Sequence, residues 1–356
     1  MTIDARFDIP YHQYLNAEGV AIAPPPPCAE NHAELLDMYR MMMRARVFDL
    51  KAVNLQRTGK LGTYPPAVGH EAIHVAVGAA LKPEDCIAPV YREIGTQMWR
   101  GVRMLDILLY WGGDERGNDF AIPRHDFPWC VPIGTQMLHA AGAAIAFQTR
   151  NERRVAVGFI GDGGTSEGSF YEAINVAGVR NLPVVFLITN NQWAISVPLS
   201  QQTAAKTLAQ KAFAAGIPGV QVDGNDLLAC RHHFGQAIEK ARDGGGPTVI
   251  EAITYRLSDH TTADDASRYR RAEEVKEAWT REPIKRMRLF LERQGLWDAT
   301  REQALLAECA REVEAAVQEF LNYPKPHVDA MFDYLFAHPP RALLAQKQMA
   351  RRYRGH

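Results

Sequence analysis

Two short polar strings in this chain combine residue types and spacing that could do chemistry. Gly161-Asp162-Gly163-Gly164 follows the apolar run from Val155 to Ile160, and Asn190-Asn191 follows a second run from Val184 to Thr189. In open parallel sheets ligands bind beyond the carboxyl ends of the strands, so these loops are where a ligand belongs. A carboxylate at Asp162 and an amide at Asn191, 29 positions apart, face one another if the two strands are neighbours. One charged and one neutral oxygen suit Mg²⁺, whose octahedral shell is usually completed by phosphate oxygens and water. The backbone N–H groups of Gly163 and Gly164, at the start of a helix, can approach a diphosphate with no Cβ in the way. A Gly-Asp-Gly string is also a common turn. The dinucleotide fingerprint of a Rossmann oxidoreductase fails, because Ser166 stands where GxGxxG needs its third glycine, and no GxxxxGK[ST] string is present.

The elements that must position these loops are legible in the hydrophobic pattern. Two all-apolar runs flank a helical register at Phe170, Ala173, Ile174, Ala177 and Gly178, introduced by the capping candidates Thr165 and Ser166 and closing near Asn181-Leu182-Pro183. Strand, helix, strand is a βαβ unit with a right-handed crossover. The alternation continues through a strand at Gly219-VQVDG, a helix from Leu227 to Ala241 and a strand at Pro247-TVIEAITYRL. This predicts an α/β fold, a doubly wound parallel sheet. Upstream, Leu35, Leu36, Tyr39, Met42, Met43, Val47 and Leu50 predict a helix from His32 with a core-facing stripe. Residues 69–80 read as a closely packed helix and Ala88-Pro89-Val90-Tyr91 as a buried strand end. Residues 1–31, with Pro10 and the run Pro24 to Pro27, predict an extended arm lying on the surface of something larger. Residues 32–272 make the α/β domain. Residues 273–356 make a helical C-terminal region, with Trp279, Ile284, Met287, Leu291, Leu305, Val313, Val317 and Phe320 at helical spacing.

Composition narrows the partners. The 356 residues are 47% apolar and 23% charged, with a net charge of −1. That balance offers no electrostatic surplus for a phosphate backbone, so nucleic acid is not expected as a partner. No window reaches the roughly 20 apolar residues of a membrane span. The start, MTIDARFDIP, has early acidic residues and no apolar core, which predicts neither a signal nor a transit peptide and a cytoplasmic location. Five cysteines, Cys28, Cys86, Cys130, Cys230 and Cys309, show no zinc or CxxC spacing and read as reduced core thiols.

The whole string from Gly161-Asp162-Gly163 to Asn190-Asn191 resembles the thiamine-diphosphate motif. GDGGTSEGSFYEAINVAG, NNQWAISVP, QTAAKTLAQKAFAAGIPGVQVDGND and YRLSDHTTADDASRYR are similar to the alpha chain of the heterotetrameric 2-oxo acid dehydrogenase first component, from about Leu35 to the C-terminal helices. The resemblance implies thiamine diphosphate and Mg²⁺ as cofactors, with Asp162, Asn191 and the backbone carbonyl of Trp193 on the metal. It places Tyr91 and Arg92 at the diphosphate, where a guanidinium fork can hold two phosphate oxygens. Gly163, Gly164 and Ala194 line the diphosphate, and backbone atoms of Val131 and Ile133 touch the aminopyrimidine. His260 falls where the family has an active-site histidine that orients the phosphate and helps acylate the lipoyl group. Residues 258–271, with Tyr269 and Arg270, resemble a mobile loop that orders over the cofactor.

The implied reaction is addition of the cofactor ylid to a small 2-oxo acid, loss of CO₂ and reductive acylation of the lipoyl arm of an acyltransferase. A beta subunit supplies the glutamate that hydrogen-bonds the aminopyrimidine, which makes an α2β2 heterotetramer. Substrate signals are divided. Ser258-Asp259-His260 followed by Asp264 has the spacing of branched-chain enzymes, whereas GIPG, AKTLAQKA and GTYPPAVGHEA point to the pyruvate type, taken here as the leading expectation. Acetoin dehydrogenase uses a similar alpha chain, and a non-catalytic cofactor-binding or scaffold subunit is the reading from another class. Loop phosphorylation does not carry over, because the matching position is Thr261 rather than serine.

Overall fold

Strand order is what brings the two polar loops together. In the computed structural model, which describes residues 6–333 and 335–353, the first half of the chain runs β1 (Tyr11–His12), α1 (His32–Arg57), α2 (Glu71–Ala80), β2 (Cys86–Ala88), α3 (Ile94–Trp99), α4 (Met104–Trp111) and α5 (Thr135–Thr149). It continues through β3 (Ala156–Gly161), α6 (Gly168–Arg180), β4 (Val184–Asn190) and the small antiparallel pair β5 (Trp193–Ala194) and β6 (Val197–Pro198). Then come α7 (Leu199–Gln202), β7 (Gly219–Asp223), α8 (Leu227–Arg242) and β8 (Thr248–Ile253). The C-terminal part is helical: α9 (Ala272–Trp279), α10 (Pro283–Arg293), α11 (Ala299–Leu321), α12 (Ala330–Asp333) and α13 (Arg341–Arg352).

The main sheet has the order β1-β7-β8-β4-β3-β2 and is parallel throughout. Side chains alternate across it. Val157, Phe159, Val185, Leu187 and Ile250 enter one core with α1, α2 and α8. Ala156, Ile160, Val184, Phe186, Ile188 and Val249 enter the other with α5 and α6. Strands buried on both faces must be apolar at every position, which is why β3 and β4 read as continuous runs rather than as alternating ones. The doubly wound α/β expectation agrees with this sheet.

Several local expectations need correction. Leu50 is 52% exposed, and the buried positions of that turn of α1 are Phe48 and Asp49. The Asp49 carboxylate accepts from the Tyr64 hydroxyl at 2.8 Å and from the Ala67 N–H, so a polar anchor displaces the apolar stripe. Thr165 and Ser166 do not cap α6. They lie inside a 3₁₀ turn, Gly163–Ser166, where the Thr165 hydroxyl donates to the Asp162 carbonyl at 2.7 Å, and the cap position falls to Glu167. All five cysteines are free, but Cys28 and Cys130 are only partly buried.

The N-terminal arm lies on this chain itself. Its two-residue strand β1 pairs with β7, and the Tyr14 and Leu15 N–H groups donate to Asp226 at 2.6 and 2.7 Å. The other Asp226 oxygen caps α8. Leu15 is fully buried against α10 and its neighbours. Leu15→Ala is therefore expected to lower unfolding free energy by about 2–4 kcal/mol in urea denaturation; a loss below about 1 kcal/mol would show the arm to be no part of the core. Residues 1–5 lie outside the described residues. None of the described helices is long and apolar enough to cross a membrane.

Candidate active site

β3 and β4 are adjacent, with Gly161 opposite Thr189, so Asp162 and Asn191 leave the sheet side by side at its carboxyl edge. Asp162 is almost completely buried, and its Oδ2 has no hydrogen-bond partner. Burial raises its carboxyl to about 6, against the opposing pull of the backbone N–H groups of Asp162 and Asn191. A buried carboxylate oxygen left unsatisfied is costly unless a cation takes it. Its surroundings are tightly made: a Cβ on Gly163 would meet the Ala194 Cβ at 2.5 Å, and one on Gly164 would meet Ile160 and Ile133 side-chain carbons at 2.5 and 2.8 Å. Those glycines are thus required by the approach of Ala194 and Ile133 as well as by any ligand. The Asp162 carbonyl is held by Gln202 Nε2 at 3.2 Å.

The neighbouring turn carries Asn191 and Trp193. Gln192 and Ile195 take φ values of 73° and 58°, in the left-handed region that non-glycine residues seldom adopt. The Asn191 side-chain oxygen accepts from the Trp193 N–H at 3.2 Å, and the Trp193 indole donates to Tyr255 Oη at 3.2 Å. Asn191, Trp193 and Ile195 border a cleft of about 550 Å³, which is also lined by Tyr91, Arg92, Val131, Ile133, Gly163, Gly164, Ala194 and His260.

Cationic and neutral donors converge on that cleft. Arg92 is buried and donates through Nη1 to the Pro66 carbonyl at 2.6 Å and through Nη2 to His260, reaching Nδ1 at 2.9 Å and the carbonyl at 2.7 Å. A guanidinium has only donors, so His260 Nδ1 must accept and the ring proton sits on Nε2. Burial, then the charges of Arg92 and Arg256, lower His260 to about 3, which keeps the imidazole neutral. It can offer an N–H but not a titrating acid. His70, on the same wall, has both ring nitrogens buried without partners and is likewise held neutral by burial.

Residues 258–271 pack behind this wall. The His260 N–H donates to Asp264 at 2.9 Å, Tyr269 Oη donates to the same carboxylate, and Arg256 Nη2 donates to Tyr269 Oη at 2.8 Å. Arg270 donates to the carbonyls of Arg256 and Ser258. Tyr269 and Arg270 do not line the cleft; they brace the segment that presents His260.

The other residues that the family resemblance places at cofactor or metal stand around this one cleft. Arg256 escaped notice. It is fully buried, reaches the carbonyls of Trp193 and Ile195 at 3.4 and 2.8 Å, and ties the turn at residues 191–195 to the loop through Tyr269. Its signals in the sequence are its place at the end of a strand run and at the head of the motif string that begins Tyr255-Arg256. No group of three or more His, Cys, Asp or Glu side chains able to hold a metal occurs among the described residues, so a cation at Asp162 would draw its other ligands from neutral oxygens. That is the Mg²⁺ pattern, and the residues fit it.

Residues 39–329 match the family described as Dehydrogenase E1 component. A Mycobacterium tuberculosis protein named 3-methyl-2-oxobutanoate dehydrogenase subunit alpha is 45% identical over 315 residues, 88% of this chain and 86% of that protein. Proteins named pyruvate dehydrogenase E1 component subunit alpha are 40% identical in Staphylococcus epidermidis and 39% in Staphylococcus aureus, each over 317 residues, 89% of this chain and 86% of theirs.

Proposed function

From the membership of this chain in the dehydrogenase E1 component family, we propose that it is the alpha subunit of a thiamine-diphosphate-dependent 2-oxo acid dehydrogenase acting on pyruvate. The observation that carries the site assignment is the partnerless Asp162 oxygen at the carboxyl edge of two neighbouring parallel strands, beside Asn191. Asp162, Asn191 and the Trp193 carbonyl would hold Mg²⁺. Gly163, Gly164, Ala194, Tyr91 and Arg92 would hold the diphosphate, and the Val131 and Ile133 backbone the aminopyrimidine. Thiamine diphosphate, when bound, supplies the carbanion chemistry of decarboxylation and acyl transfer.

The chain's own residues bind, orient and exclude water. Arg92 offers a buried positive charge, anchored on the Pro66 and His260 carbonyls, and fixes the His260 tautomer. The Nε2–H of His260 is then a preorganised donor in the cleft, the arrangement that stabilises developing negative charge. Asp264, Tyr269 and Arg256 hold the segment from which it projects, and with Arg270 they would brace residues 258–271 as the loop that orders when cofactor binds.

The cleft's rim exposes Val131, Ile133, Ile195 and Val197. An apolar rim supports closure by another chain, in this reading a beta subunit that supplies the aminopyrimidine glutamate in an α2β2 assembly. A lipoyl acyltransferase accepts the acyl group, in the cytoplasm.

A second substrate reading, a branched-chain 2-oxo acid, is favoured by the His260-to-Asp264 spacing and by the name of the Mycobacterium relative. The deciding measurement is kcat/KM for pyruvate and for 3-methyl-2-oxobutanoate, with the beta chain, thiamine diphosphate and Mg²⁺. Preference for pyruvate is expected. Preference for the branched acid replaces it, and activity with neither, despite bound cofactor, overturns the 2-oxo acid assignment in favour of acetoin or a non-catalytic role.

A further inference from the structure

Glu251 sits in the middle of β8, is 1% exposed, and takes no part in the mechanism above. Its Oε1 accepts from Asn190 Nδ2 at 2.7 Å. Its Oε2 accepts from the N–H groups of Leu208 and Ala209 at 2.8 and 2.9 Å and from Gln221 Nε2 at 2.9 Å. All four partners are uncharged donors, and two carboxylate oxygens that only accept are the groups such a set fits. Burying a carboxylate this way costs desolvation that neutral donors offset only in part, so packing alone would be better served by an apolar side chain.

What the carboxylate reaches is the turn on which Asn191 rides. The Asn190 amide donates to Glu251, and its oxygen accepts from the Gln192 N–H at 3.2 Å and from Gln192 Nε2 at 2.9 Å. Gln192 is the residue held at φ 73°, between Asn191 and the Trp193 carbonyl. One buried side chain therefore shapes the strained turn that presents both neutral oxygens.

We propose that Glu251 is a positioning residue of the divalent-cation site, acting through Asn190 on Asn191 and Trp193. The inference rests on the Mg²⁺ and thiamine-diphosphate reading of the cleft. Outer partners that orient first ligands typically set metal affinity by about 10- to 100-fold.

The test uses the assembled complex of alpha and beta chains, with calorimetric titration of thiamine diphosphate at a series of Mg²⁺ concentrations. In Glu251→Gln, half-saturating Mg²⁺ is expected to rise about tenfold, with kcat at saturating Mg²⁺ within about twofold of the parent. Unchanged Mg²⁺ dependence, including the case where only thermal stability falls, overturns the proposal and leaves Glu251 a bolt of the fold. If Glu251→Gln does not assemble, Asn190→Ser is read by the same criterion, since it cuts the link while sparing the other three Glu251 contacts. Failure of the parent complex to bind cofactor with Mg²⁺ overturns the functional reading itself and the proposal with it, whereas a parent that binds and a variant that matches it overturns the proposal alone.

Discussion

Asp162→Ala is expected to lower Mg²⁺-dependent affinity for thiamine diphosphate by at least about 100-fold, measured by calorimetry on the assembled complex. The variant removes the only buried carboxylate among the described residues of the cleft that has an unpartnered oxygen, and with it the charged ligand of the proposed cation site. Folding should not suffer in proportion. A buried carboxylate with an unsatisfied oxygen costs the folded chain free energy, so its removal is expected to leave the melting temperature unchanged or raised. Loss of binding together with retained stability separates a ligand from a structural residue; unchanged affinity would remove Asp162 from the site. A pH dependence follows from the same burial. With the carboxyl lifted to about 6 by burial, a proton competes with the cation below that value. Apparent Mg²⁺ affinity should be nearly flat above pH 7 and fall by roughly tenfold per pH unit below 6. An affinity flat down to pH 4.5 would contradict it.

His260→Ala is expected to reduce acylation of the lipoyl arm by about 100-fold while decarboxylation assayed with an artificial acceptor falls by less than about tenfold. The asymmetry has a geometric basis. His260 is held by Arg92 at Nδ1 and by Asp264 at its backbone N–H, so its Nε2–H is fixed in direction without being able to titrate near neutrality. A fixed donor stabilises charge that develops in one particular step. Arg92 keeps two carbonyl partners, Pro66 and residue 260, when the ring is gone, so its guanidinium stays anchored through the substitution. Equal losses in the two assays would instead assign His260 a general role in holding cofactor or loop.

Much of this site could be read along the chain because its parts are local. A strand buried on both faces needs an unbroken apolar run, and such a run ending in Gly-Asp-Gly-Gly or Asn-Asn announces a polar loop at a strand's carboxyl end. The helix between them is bounded by Asn181, whose φ of 51° makes it a left-handed cap of a kind asparagine tolerates. The motif strings were enough to carry the family, and with it the residues that the cleft assembles.

What tertiary structure decided were the relations between segments far apart in sequence. Whether Asp162 and Asn191 meet depends on β3 and β4 being neighbours, which hydrophobic period cannot state. Leu50 pointed outward because Asp49 found its partners at Tyr64 and Ala67, and Leu15 went inward because Asp226 had N–H acceptance to spare beyond its own helix cap. Arg256 and Glu251 look like ordinary polar residues within or just beyond a strand. They become site residues only when carbonyls from residues 193–195 and an amide from residue 190 converge on them. Local pattern records how often a residue type recurs and hence which face is buried. A buried charge is paired by whichever distant groups the folded chain brings within about 3 Å, and that pairing exists only in three dimensions.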